Sequence, residues 1–225
     1  MHILCIADEK DPLVYSQQVA QRYKDVDFVL SAGDLPLNYY EFIVSALNKP
    51  LYFIFGNHQI EYLKHFKKNC LFDDPYVAPY GVSATQLSFG GTYIDGKIKR
   101  EKSTGLLLAG LGGSLRYNTQ ENQFTEFQMY WRICKMIPAL LFNRLRHGRF
   151  LDILITHAPP RGIGDLDDRC HTGFGAFLWF MRRFKPRYLI HGHIHLLDMN
   201  TVRQSRYYDT EVINVYGSYV LQEDT

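Results

Sequence analysis

The sequence predicts an α/β fold organised around a parallel sheet, and two observations carry that prediction. Short apolar runs bounded by turn residues recur along the chain, with the length and β-branched content of buried strands. Between the early runs lie amphipathic stretches, so the chain begins strand, helix, strand, helix, strand. Helical connections favour parallel neighbours joined by right-handed crossovers.

The first strand is predicted at His2–Ala7 and a helix follows over Val14–Tyr23. Phe28–Ala32 is the second strand, Tyr39–Leu47 the second helix and Leu51–Phe55 the third strand. The pattern then changes. Gln86–Ile98 contains Gly90-Gly91 and Asp95-Gly96, which read as hairpin turns. Leu106–Ala109 is a further strand, and the charge cluster Lys97–Lys102 before it reads as a solvated hairpin. Glu126–Arg146 reads as a helix interrupted near Pro138, since an interior proline lacks a donor and crowds the preceding turn. Ile153–Thr156 is a strand. Gly173–Phe184 is a helix capped by Thr172, and its Phe174, Phe177, Leu178 and Met181 read as core. Tyr188–Ile190 and Val212–Val215 are strands, and Thr201–Val220 reads as antiparallel pairing. With no repeat, low-complexity tract or Pro/Ser linker, residues 1–225 read as one domain.

Composition sets limits on function. Of 225 residues, 46% are hydrophobic and 21% charged, as in an ordinary globular protein. Lys plus Arg is 25 and Asp plus Glu is 23, a net charge of +2 that argues against extended binding to a nucleic-acid backbone. Cys5, Cys70, Cys134 and Cys170 form no CxxC pair, so neither a thiolate zinc site nor a disulfide framework is expected. A reducing, cytoplasmic location fits them. No apolar run is long enough to span a bilayer, and no membrane partner is expected. Met1–Lys10 has neither the apolar core nor the basic leader of a signal peptide.

The polar residues at strand ends point to chemistry. The first strand ends in Asp8, the second in Gly33-Asp34 and the third in Gly56-Asn57-His58. Ile153–Thr156 ends in His157, and Tyr188–Ile190 in His191-Gly192-His193-Ile194-His195. Ligand sites of open α/β sheets lie outside the carboxyl ends of strands. Taken singly, these residues suit helix caps and turns. Independent capping does not explain five strand ends that each deliver a metal-capable side chain, so the set reads as a metal site.

At these residues the chain resembles the calcineurin-like metallophosphoesterases, whose motifs run D-x-H, G-D, G-N-H, H and G-H-x-H. The matches are Asp8, Gly33-Asp34, Gly56-Asn57-His58, His157 and Gly192-His193-Ile194-His195. Thr156–Gly162 is similar to the branch that includes the metallophosphoesterase-domain-containing proteins. The resemblance implies a four-layer α-β-β-α sandwich of two mixed β-sheets flanked by helices. It also implies one or two divalent cations, Mn²⁺, Fe²⁺ or Zn²⁺, given the carboxylate, amide and imidazole ligands. Asp34 would bridge them, with Asp8 and His195 on one and Asn57, His157 and His193 on the other. A metal-activated hydroxide would attack phosphorus in line, and His58 would serve the leaving oxygen.

One motif departs from the pattern. Position 10 holds Lys10 where the family places a histidine ligand, and a protonated lysine has no lone pair to give. Either a weaker ion is held by the remaining ligands or the ammonium stands in for part of its charge. Gln59 follows the G-N-H motif where many members carry an acid. Arg161 and Arg116 are candidates to bind the phosphate of the substrate, a small molecule or nucleotide. His171, near Asp165, Asp167 and Asp168, reads as a surface-loop residue or a pocket residue, His191 as support behind the site, and His2, His65 and His147 as structural or exposed. The expected activity is that of a phosphodiesterase. The alternative is a non-catalytic scaffold on the same fold, for which Lys10 is the main support.

Overall fold

A computed structural model describes residues 1–58, 61–66, 90–196, 198 and 201–222. Gln59, Cys70 and the 86–89 part of the predicted hairpin lie outside the described residues. Two mixed sheets stack face to face. The first has the order β13-β1-β2-β3-β4, formed by Gly217–Gln222, His2–Ala7, Phe28–Ser31, Leu51–Phe53 and Thr92–Tyr93. Its strands are parallel except for β13, which runs against β1. The second has the order β11-β12-β10-β9-β6-β5, formed by Gln204–Tyr207, Thr210–Asn214, Tyr188–His191, Ile153–Thr156, Leu107–Leu111 and Ile98–Arg100. Its four central strands are parallel and both edges antiparallel. A small parallel pair, β7 (Ser114–Leu115) and β8 (Gln123–Phe124), leads into the longest helix.

Alternation along each strand builds the layers. In β1, Ile3, Cys5 and Ala7 join Phe28, Leu30, Ile155, Ile190 and Ile213 in the core between the sheets. Leu4 and Ile6 face the other way, onto a second core shared with helices α1 (Val19–Arg22) and α2 (Leu37–Leu47). In the other sheet, Leu107, Leu154 and Leu189 face a third core with helices α4 (Glu126–His147) and α5 (Gly175–Phe184). A short helix α3 (Leu63–Phe66) completes the first side. Strands buried on both faces carry continuous apolar runs, which is why the sequence showed runs rather than alternation. The fold is the four-layer α/β sandwich of two mixed sheets.

Several expected details change. The first helix is only Val19–Arg22, because Val14–Gln18 folds as turns tied to Asp11 and Ser16 carbonyls. Asp95-Gly96 closes no hairpin: β4 belongs to one sheet and β5 to the other, so this turn carries the chain between layers. Within Lys97–Lys102, Glu101 is buried, and its carboxylate accepts from the backbone and side chains of Ser103 and Thr104. Helix α4 runs unbroken through Pro138, which sits on its exposed side. Thr125 and Gln128 form a capping box at its start. Thr172 does not cap α5. Its hydroxyl donates to the Asp168 carbonyl, and Phe174 is the N-cap.

Candidate metal centre

The carboxyl ends of β1, β2, β3, β9 and β10 meet on one edge of the sandwich. Asp8, Asp34 and His193 follow these strands in left-handed backbone, with φ of 65°, 55° and 68°. An L side chain adopts that region at a cost of roughly 1–2 kcal/mol. Flanking glycines allow the close approach. A Cβ on Gly56 would lie 2.2 Å from Asp34 Oδ1 and 2.4 Å from His157 Cε1, and one on Gly192 would lie 2.4 Å from Asp8 Oδ2.

Backbone donors aim the carboxylates. The N–H of His193 donates to both Asp8 oxygens at 3.0 and 2.9 Å. The N–H of His58 donates to Asp34 Oδ1 at 2.8 Å, leaving Oδ2 turned inward. One ligand atom each from Asp8, Asp34 and His157 falls within 4.8 Å of the others.

His157 is fully buried, and its Nδ1 lies 2.8 Å from the Ala32 carbonyl. A carbonyl only accepts, so Nδ1 carries the hydrogen and Nε2 faces the site. There Nε2 meets Asn57 Oδ1 at 3.1 Å and Asp34 Oδ2 at 3.1 Å. The Asn57 amide is oriented by its Nδ2 donating to the Tyr117 hydroxyl at 3.2 Å. Three lone-pair atoms this close repel unless a proton or a cation lies among them. Without a cation a proton does so: burial disfavours the charged ring, yet Asp34 and Asp8 together push it up to about 9. Burial, helped by the Asp34 charge, pushes the Asp8 carboxyl up to about 6 against the pull of His157.

His193 adjoins this group, its ring 4.9 Å from that of His157. Its Nε2 donates to the Cys170 carbonyl at 2.8 Å, so Nδ1 keeps a lone pair. Burial and the neighbouring His157 hold it neutral, down at about 3. Fixed tautomers, converging acceptors and a buried carboxylate pair fit a divalent cation.

A family model for calcineurin-like phosphoesterases matches residues 1–197. The chain belongs to that family. Solved structures share the fold at low identity. One aligns with a TM-score of 0.62 and 12% identity, covering 96% of this chain and 90% of the other. The protein TT1561 of Thermus thermophilus aligns with a TM-score of 0.57 and 13% identity, covering 96% and 88%. No curated protein sequence matches the chain significantly. The calcineurin-like phosphoesterase family is metal-dependent, and Asp8, Asp34 and His157 form a group able to hold a metal.

The other expected site residues have contacts of their own. His195 is exposed, stacked at 4.8 Å on Tyr216, whose hydroxyl donates to the Glu9 carboxylate. His58 is exposed at the rim. Lys10 is turned to the ring of Tyr15, 5.2 Å from its centroid. Among the described residues no ion pair joins Lys10 to Asp8 or Asp34. The Arg161 guanidinium donates to the Gly173 carbonyl and faces Glu126 at 3.9 Å. The Arg116 guanidinium donates to the Gln123 carbonyl and to Gln128 Oε1. Both arginines are therefore tied to the first turn of α4 and to the chain beside it.

Some residues around the site were not legible beforehand. Asn122 donates to the Phe55 and Gly56 carbonyls and so fixes the turn that presents Asn57. His171, a pocket or surface-loop candidate, has its ring 5.4 Å from that of His193 and its Nδ1 2.8 Å from Asp168 Oδ2. The sequence signal for it is its place beside Asp165, Asp167 and Asp168. His191 lies behind the site, as expected, with Nδ1 donating to the Gly192 carbonyl.

Proposed function

We propose that this protein is a metal-dependent phosphoesterase, acting on phosphodiesters of small molecules or nucleotides. The convergence of Asn57 Oδ1 and Asp34 Oδ2 on Nε2 of His157, with Asp8 Oδ1 4.0 Å from Nδ1 of the same ring, carries this reading. Asp34, Asn57, His157 and His193 would hold one cation, and Asp8, Asp34 and His195 a second, weaker one. Mn²⁺, Fe²⁺ and Zn²⁺ all suit these donors. A bound cation supplies Lewis-acid activation of water and neutralises phosphoryl charge.

The chain's own residues do the rest. His58, held at the rim by its N–H bond to Asp34, gives a proton to the leaving oxygen. Asn57 stays oriented through Tyr117. Arg161 and Arg116 bind the outer phosphate oxygens once substrate competes for their guanidinium groups. The whole of residues 1–225 acts as one domain. The exposed Cys134 and Cys170 are free, which supports a reducing, cytoplasmic setting.

Lys10 favours a scaffold reading, in which the first cation is lost and catalysis with it. The fixed tautomers of His157 and His193 argue for catalysis, since a scaffold needs neither. Hydrolysis of a generic diester and a generic monoester, with Mn²⁺ and with chelator, decides between them. Chelator-sensitive turnover lost in Asn57→Ala and His157→Ala is expected. No turnover with any of several metals would leave the scaffold.

A further inference from the structure

Helix α4 buries Met129, Ile133, Met136 and Leu140 against the second sheet. Its opposite side is not polar. Phe127, Trp131, Cys134, Pro138, Leu141 and Leu145 are all exposed and follow one another at alternating steps of four and three. Such steps keep residues on one line of a helix. Phe142 widens the line, and Leu145 is 86% and Phe127 79% exposed. Isolated exposed apolar residues are ordinary, but a continuous stripe of bulky ones marks an interaction surface.

The charges around the stripe have one sign. Lys135, Arg144 and Arg146 are the charged residues exposed on α4. At its C-terminal end, Arg144, Arg149, Arg183 and Lys185 line a cavity of about 380 Å³ with Phe150 and Phe184. Arg149 and Lys185 each face a carboxylate, Asp152 at 2.7 Å and Asp209 at 2.9 Å, yet no carboxylate lines the cavity itself. Helices α4 and α5 both end here, and their carbonyl ends absorb part of the positive charge. Arg146 and Arg182, in the same last turns, restore the excess.

We propose that this face docks on an anionic phospholipid surface, with the α4 stripe entering the interface and the basic cavity taking a headgroup phosphate. A bulky apolar line flanked by Lys and Arg is the pattern of interfacial helices. A second copy of the chain would bring basic flanks against basic flanks. The one acid of α4, Glu126, already accepts from the Gly175 and Ala176 N–H groups. A partner helix docks into an apolar groove, whereas this stripe is the outer side of a single helix. No helix among the described residues is long and apolar enough to cross a membrane. Peripheral docking needs none, and on this point the proposal departs from the expectation of no membrane partner.

Co-sedimentation of the full chain with vesicles tests the proposal. Phosphatidylcholine vesicles are compared with vesicles holding about 30% phosphatidylglycerol, in about 0.1 M salt. Partitioning onto the anionic vesicles is expected to be at least about tenfold stronger. Arg144→Glu with Arg183→Glu should remove that preference. Phe142→Ser with Leu145→Ser should weaken anionic binding about tenfold while thermal unfolding and soluble-diester hydrolysis stay unchanged. Equal binding to both vesicles, or binding to neither, overturns it. So does a concentration-dependent dimer that the Phe142/Leu145 variant dissolves, since the face would then belong to a second copy.

Discussion

Asp8, Asp34 and His193 hold left-handed backbone although each carries a side chain. Seven non-glycine residues have positive φ among the described residues, and three of them are at this site. Strain of this kind persists where the surroundings over-determine it, and here N–H donors and glycine contacts do so. Gly56→Ala should therefore displace Asp34 and His157. We expect about a ten- to hundredfold loss of metal affinity by calorimetric titration, comparable to losing an orienting partner. Unchanged affinity would mean the close contact at Gly56 is not needed. Lys10→His should raise diester turnover at low Mn²⁺, because it returns a lone pair to the first cation, and no gain across a Mn²⁺ titration would count against that role. The ligand types were legible in the sequence because glycine-flanked polar residues followed apolar runs. Asn122 and Tyr117 were not, because their contacts join segments far apart in the chain.

At the scale of elements, helix α4 is the clearest departure. Pro138 was expected to break it, yet the packing of Met136 and Leu140 holds the helix together through a missing backbone bond. Pro138→Ala should restore that bond and stabilise the protein by about 1–3 kcal/mol. Thermal unfolding reads this directly, and an unchanged midpoint would show that the proline is accommodated without penalty. The turn between β5 and β6 rests on Glu101. Burial pushes its carboxyl up, but the four donors on Ser103 and Thr104 hold it below the ordinary glutamate range. Its stabilising contribution is thus present above that range and is lost as pH falls below it. Glu101→Gln should cost about 2–3 kcal/mol near neutral pH and flatten the acid limb of unfolding. If the variant and parent unfold alike across pH, the carboxylate is not holding the turn.

The whole molecule is a sandwich whose two sheets deliver metal-capable side chains to one edge from opposite sides. The parallel strands could be read from the sequence, because runs buried on both faces have no polar alternation. Which strand joined which sheet could not, since β13 pairs with β1 across nearly the full chain and Asp95-Gly96 crosses between layers. The same geometry links metal to stability. Asp34 and Asn57 come from the first sheet and His157 from the second, so a bound cation ties the layers together. At about a hundred times the dissociation constant, a metal should add about 2.7 kcal/mol to stability. Dialysed protein should retain well under two ions per chain, given Lys10; two ions that resist dialysis would show an intact first site.

The most direct test follows Mn²⁺ binding by electron paramagnetic resonance while the same sample hydrolyses a generic phosphodiester. Turnover should rise in step with bound Mn²⁺, vanish with chelator and be absent in His157→Ala. Bound Mn²⁺ without turnover, or turnover that survives chelation, would contradict a metal-dependent phosphoesterase.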